Sequence, residues 1–163
     1  MIMLEEMDIH RTFMAEAIEM ARKNLREGKG GPFGAVIVKN GDIIARGSNL
    51  VALTNDPTAH AEIVAIRDAC SKLDNFQLTD CDIYCSCEPC PMCLGAIYWA
   101  RPNRIFFAAT RADAANAGFD DDFIYQELNV SIPNRKIVTH QLLRNEAQLV
   151  FDNWITLDRK TPY

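Results

Sequence analysis

A chain of 163 residues is long enough for one domain with a self-sufficient core. At 48% hydrophobic and 24% charged residues it is neither disordered nor fibrous. A net charge of −5 and a pI near 5.2 argue against a surface built to track nucleic-acid phosphates.

No apolar run approaches the roughly 18–20 residues of a membrane span, and the acidic N-terminus lacks the basic start of an export signal. A cytoplasmic protein with no membrane partner is expected, in which the six cysteines serve as thiols or metal ligands.

In chain order, residues 8–27 read as an amphipathic helix. Ile9, Phe13, Ala17, Met20 and Leu25 recur near helical spacing, and Gly28 stops it. The glycine-rich turn over residues 28–34 is not a dinucleotide loop, because Phe33 stands where the third glycine belongs and a strand follows. Residues 35–38 and 43–45 are apolar and flank Asn40-Gly41, a hairpin signal. A helix over 59–73 follows, with Ile63, Val64, Ile66 and Ala69 on its apolar face. Next come a strand over 81–86, a helix over 90–100, a buried strand over 104–108 and an alanine-rich helix over 111–117. The tail carries a strand near 137–140 and a helix near 144–157. This alternation predicts a three-layer α/β/α domain, with helices on both faces of one sheet of about five strands. The hairpin makes that sheet mixed. With no linker or repeat, residues 1–163 read as a single domain.

Two clusters carry chemistry. The first, residues 57–62, contains His60 and Glu62 at the start of a helix; the second, residues 87–93, contains Cys87, Cys90 and Cys93 at the start of another. Cys90 and Cys93 are three apart, so on a helix their sulfurs share a face. With one imidazole nitrogen they make three ligands for a tetrahedral zinc, which leaves a position for water, as catalytic sites do. Glu62 can lean over that position and take the water's proton, whose pKa zinc lowers toward about 7. The order His-x-Glu with Pro-Cys-x-x-Cys is the zinc deaminase signature, and differs from the metalloprotease order because Ala61 and Val64 stand at the intervening positions.

Other uses of these residues stay open: a redox pair at Cys90 and Cys93, or a structural zinc with Cys87 or Cys85 as fourth ligand. An iron–sulfur run would need a cysteine where Ile97 stands. Cys70, Cys81 and Cys85 read as small core residues, His10 and His140 as surface or internally paired, and Trp99 and Trp154 as core. The Asn129-Val130-Ser131 sequon has no meaning without export.

The chain resembles the cytidine deaminase superfamily, and within it the bacterial guanine deaminases. The resemblance rests on residues 30–38, 55–62 and 86–102, of which the first and third, with His60-Ala61-Glu62, also match tRNA adenosine deaminases, and on residues 114–125 (Ala-Gly-Phe-Asp-Asp followed by Phe123-Ile124-Tyr125), which match guanine deaminases. It implies one Zn2+ per subunit on His60, Cys90 and Cys93. Glu62 would carry a proton from the water to ring N3, with attack at C2 of guanine giving xanthine and ammonia. Asn49 would read the purine edge, Phe33 would stack, Asp121 would read the base and handle the departing amine, and Trp99 would line the pocket. Tyr163 would close the site from a partner subunit, since members form homodimers that exchange a C-terminal segment, here about 134–163. Pro162 departs from the family pattern. The resemblance thus implies a small purine base as partner rather than nucleic acid. The alternatives are a tRNA adenosine deaminase, or a deaminase of guanosine, cytosine or ammeline.

Overall fold

The computed structural model describes residues 4–163. The first unit, up to Asp121, is built on a four-stranded sheet. Helix α1 (Leu4–Arg26) leads to the hairpin β1 (Gly34–Lys39) and β2 (Asp42–Ser48). Asn40 and Gly41, at φ 52° and 85°, make the turn that suits the twist of paired strands. The short helix α2 (Val51–Thr54) and helix α3 (Ala61–Leu73) follow. Then come β3 (Cys81–Cys87), α4 (Pro91–Ala100), β4 (Arg104–Ala109) and α5 (Arg111–Asn116).

The sheet order is β2-β1-β3-β4. Strand β1 pairs antiparallel with β2 and β3, whereas β3 and β4 are parallel, so the sheet is mixed as expected. Alternate residues of β1 enter two cores. Ala35 and Ile37 pack with Ala61, Ala65 and Ala69 of α3; Val36 and Val38 pack with Phe13 and Ala17 of α1. Helices therefore cover both faces. Two glycines allow the close approach. A Cβ on Gly34 would strike the Ala17 carbonyl, and one on Gly47 would strike the Ala61 carbonyl.

The second unit, Asp122–Tyr163, contains α6 (Asp122–Asn129), a 3₁₀ turn (Ile132–Asn134) and α7 (Arg144–Thr156). No strand forms near residues 137–140, where Ile137 and Val138 are exposed, so the described sheet has four strands rather than five. A short β-branched run reads as a strand, but a strand forms only where a neighbour offers its backbone.

The buried stripe of α1 also differs from the expectation. It is His10, Phe13, Ala17, Ala21 and Asn24, while Ile9 and Leu25 face solvent. Two polar residues occupy core positions because each has partners. His10 Nδ1 and the Tyr84 hydroxyl share a hydrogen bond of 2.6 Å, and the Asn24 amide donates to the Gly31 and Asn49 carbonyls, both at 2.9 Å. Neither tryptophan is core: Trp99 is 63% exposed and Trp154 is 43% exposed. No helix among the described residues is long and apolar enough to cross a membrane.

Candidate active site

The starts of α3 and α4 meet, and they bring the two chemistry-bearing clusters together. His60 is the N-cap of α3 and Cys90 the N-cap of α4, both in extended backbone, with Pro91 in the first turn of α4. Asp56 shapes the chain before His60: its carboxylate accepts from the Thr58 amide at 2.8 Å and from the Thr58 hydroxyl at 2.7 Å. Arg67 lies 3.5 Å from Asp56 and ties that loop to α3.

His60 Nδ1 lies 3.6 Å from Cys90 Sγ and 3.5 Å from Cys93 Sγ. All three donor atoms fall within 4.8 Å of one another, the one such group found among the described residues. One borderline nitrogen and two soft sulfurs are a donor set that suits zinc. Cys85 is packed in the core and the Cys87 thiol donates to the Thr110 carbonyl, so neither completes a four-ligand structural site.

The electrostatics fit a thiolate-bearing centre. Hydrogen bonds from Cys93 and then His60 hold the Cys90 thiol down at about 4. Cys93, which donates to Cys90, is pushed up. The Cys90 thiolate raises His60 in turn. The N-terminal ends of α3 and α4 favour negative charge at the same place.

Glu62 is 8% exposed, and burial pushes its carboxyl above the ordinary carboxylate range. It also lies within hydrogen-bond reach of Cys93. A buried carboxyl beside a three-donor set is placed to take and return a proton.

The other expected residues are placed as follows. Asn49 is buried at the end of β2, and its Oδ1 accepts from the Val51 amide at 3.3 Å. Phe33 is half-buried and meets Phe119 edge-on at 4.9 Å. Asp121 is raised by burial first and by the Cys90 charge second, so it lies within electrostatic reach of Cys90. Trp99 is largely exposed on α4, and Tyr163 is 72% exposed at the end of the second unit. An apolar cavity of about 370 Å³ is lined by Phe33, Phe119, Cys87 and Ala21, but by none of His60, Glu62, Cys90 or Cys93.

The sequence reading did not single out Asn24. Its signal was available: a polar residue at the helical spacing 10, 13, 17, 21, 24 of an otherwise core-facing stripe.

A mixed sheet between helical layers, with His60, Cys90 and Cys93 at two helix starts and a buried Glu62 beside them, defines the architecture of a zinc-dependent deaminase. Residues 7–109 match the family described as the cytidine and deoxycytidylate deaminase zinc-binding region. The chain belongs to that family. It is 53% identical to guanine deaminase of Bacillus subtilis (strain 168) over 94% of this chain and 99% of that protein. The crystal structure of a Bacillus subtilis guanine deaminase superposes with a TM-score of 0.92, covering 94% of this chain and 98% of the other. A guanine deaminase from Nitrosomonas europaea gives a TM-score of 0.64 at 35% identity, over 67% of this chain and 64% of that one. The tRNA-specific adenosine deaminase of Aquifex aeolicus is 40% identical over 60% of this chain and 64% of its own length.

Proposed function

We propose that this chain hydrolyses guanine to xanthine and ammonia. The observation that carries the reaction type is the buried Glu62, two residues from His60, beside a set of three donor atoms and no fourth among the described residues. The observation that favours guanine is 53% identity to a guanine deaminase over 94% of this chain, against 43% to a tRNA-specific adenosine deaminase over the same share of it.

His60, Cys90 and Cys93 would hold one Zn2+ per subunit. When bound, the metal supplies an acidified water at its fourth position. Glu62 takes a proton from the nucleophilic water and returns it at N3 of the ring as C2 is attacked. Its burial keeps bulk water from competing for that proton. Asp121 accepts from the N–H groups of the base and attends the departing amine. Asn49, with its Oδ1 engaged by Val51, presents its Nδ2 as a donor to the acceptor edge of the purine. Phe33 stacks on the ring, and Trp99 lines the pocket.

Residues 1–163 act as one deaminase domain in a homodimer that exchanges the segment about 134–163, so that Tyr163 closes the partner's site. Support comes from surfaces each unit leaves exposed. In the first unit β4 is a sheet edge and Tyr98 is exposed; in the second, Leu142, Phe151 and Ile155 are exposed. Action in the cytoplasm belongs to the same proposal, since a reducing compartment keeps both thiol ligands available.

The test is ammonia release by the zinc-loaded protein from guanine, guanosine, adenine, cytosine, cytidine, ammeline and an adenosine-34 anticodon stem. The proposal expects release from guanine with xanthine formed. Release from the stem alone would replace it with tRNA deamination.

A further inference from the structure

Asn24 closes a ring of hydrogen bonds around two of the residues just proposed to bind the base. Its Nδ2 donates to the Gly31 carbonyl and to the Asn49 carbonyl, each at 2.9 Å. The Gly31 carbonyl also accepts from the Phe33 amide at 2.9 Å, and the Phe33 carbonyl accepts from the Asn49 amide at 3.2 Å. From Asn24 the ring runs through Gly31, Phe33 and Asn49 and returns to Asn24. It joins the last turn of α1 to the loop before β1 and to the end of β2.

Three further facts say that the amide is there for its donors. Asn24 is 2% exposed, so an apolar side chain would cost nothing in hydration. Its Oδ1 is buried with no partner among the described residues, a penalty that a packing role would not justify. Gly30 admits the Asn49 backbone so closely that a Cβ there would strike the Asn49 carbonyl, and it would stand 3.3 Å from Asn24 Nδ2. The loop and β2 are thus held against each other at one point, and Asn24 is the side chain at that point.

We infer that Asn24 is a positioning residue for base recognition: it fixes the Asn49 backbone so that the Asn49 amide meets the purine edge, and it holds Phe33 in register beside it. This rests on the proposed reading of Asn49 and Phe33. The hydrogen bonds of Asn24 go to the Gly31 and Asn49 carbonyls and not to the metal-ligand candidates or Glu62, so its effect falls on binding of the base and not on proton transfer.

The experiment is a double-mutant cycle on the full-length, zinc-loaded protein, with kcat and KM for guanine measured for wild type, Asn24→Ala, Asn49→Ala and the double variant. Asn24→Ala is expected to raise KM about tenfold with kcat held within about twofold and zinc content unchanged. In the Asn49→Ala background the same change is expected to raise KM by much less, because the two residues act through one contact. Equal KM ratios in both backgrounds, or an unchanged KM in Asn24→Ala, would overturn the inference. Asn24→Ser, which keeps one small donor, is run beside it. If neither variant folds with zinc, Asn24 is scaffold and the inference fails. If the wild type does not turn over guanine, the functional reading itself is refuted, an outcome distinct from a failed cycle.

Discussion

The Nδ1 of His60 lies 3.5 Å from the Sγ of Cys93, across 33 residues of sequence. The distance is set by two helix starts. His60 ends the loop that Asp56 braces, and Cys93 sits in the first turn that Cys90 and Pro91 open. The functional centre therefore depends on how closely α3 and α4 are seated on the sheet.

That seating gives a first prediction. Gly47 of β2 lies under the start of α3, where a Cβ would strike the Ala61 carbonyl. Gly47→Ala forces α3 outward beside His60 and Glu62. Overpacking of this kind costs about 1–3 kcal/mol, and here zinc affinity should fall with it. Gly41→Ala is the control: its φ of 85° makes it strained, but it has open space around it. It should lose about 1 kcal/mol and keep its zinc. Urea melts with zinc titrations check both.

A second prediction concerns Glu62. Burial raises its carboxyl in the fold, so the neutral form is favoured there. Stability from that form is full below the unfolded carboxylate pKa and is lost as pH rises through the raised folded value. Glu62→Gln stays neutral at every pH. The variant should melt higher than wild type at pH 7, with the gap narrowing toward pH 4. Its kcat should fall by about 10²–10⁴-fold at equal zinc content.

Tyr84 sets a third. Burial pushes its hydroxyl up to about 12, and that hydroxyl shares a hydrogen bond with His10 Nδ1. The folded value lies above the unfolded one, so this contribution is whole below about pH 10 and is lost as pH rises toward 12. Tyr84→Phe should be less stable than wild type at pH 7, by about 1–3 kcal/mol for the buried ring nitrogen left without its hydroxyl partner. It should lose less stability than wild type between pH 10 and 12. Denaturant melts across that range read the difference.

Subunit exchange gives a fourth. Glu62→Ala and Tyr163→Ala proteins are each expected to be impaired. If Tyr163 acts across subunits, mixing and re-equilibrating them should restore about a quarter of wild-type activity, from the intact site in each mixed dimer. Mixing without recovery would place Tyr163 on its own subunit's site or on none.

Much of this arrangement was legible in the chain itself. Asn40-Gly41 announced the hairpin, and the spacing of His60, Cys90 and Cys93 announced a candidate three-donor metal site, because turn chemistry and metal ligation are short-range demands on residue type. The α1 stripe was misread at Ile9 and Leu25. Helical spacing shows which residues share a face, but His10 and Asn24 are buried by partners on β3, the Gly31 loop and β2, which no local pattern displays. The strand expected near residues 137–140 failed for a related reason, since pairing is decided by a neighbour and not by the run itself. Phe33 meeting Phe119 was equally hidden, being a contact between loops 86 residues apart.

The central claim is that Glu62 moves the proton for hydrolysis of guanine. The most direct measurement is the rate of xanthine formation by wild-type and Glu62→Ala proteins carrying the same amount of zinc. Xanthine formed by the wild type and reduced by about 10²-fold or more in the variant is the predicted result. Equal rates in the two proteins would contradict the assignment of Glu62, and no xanthine from either would contradict the assignment of guanine.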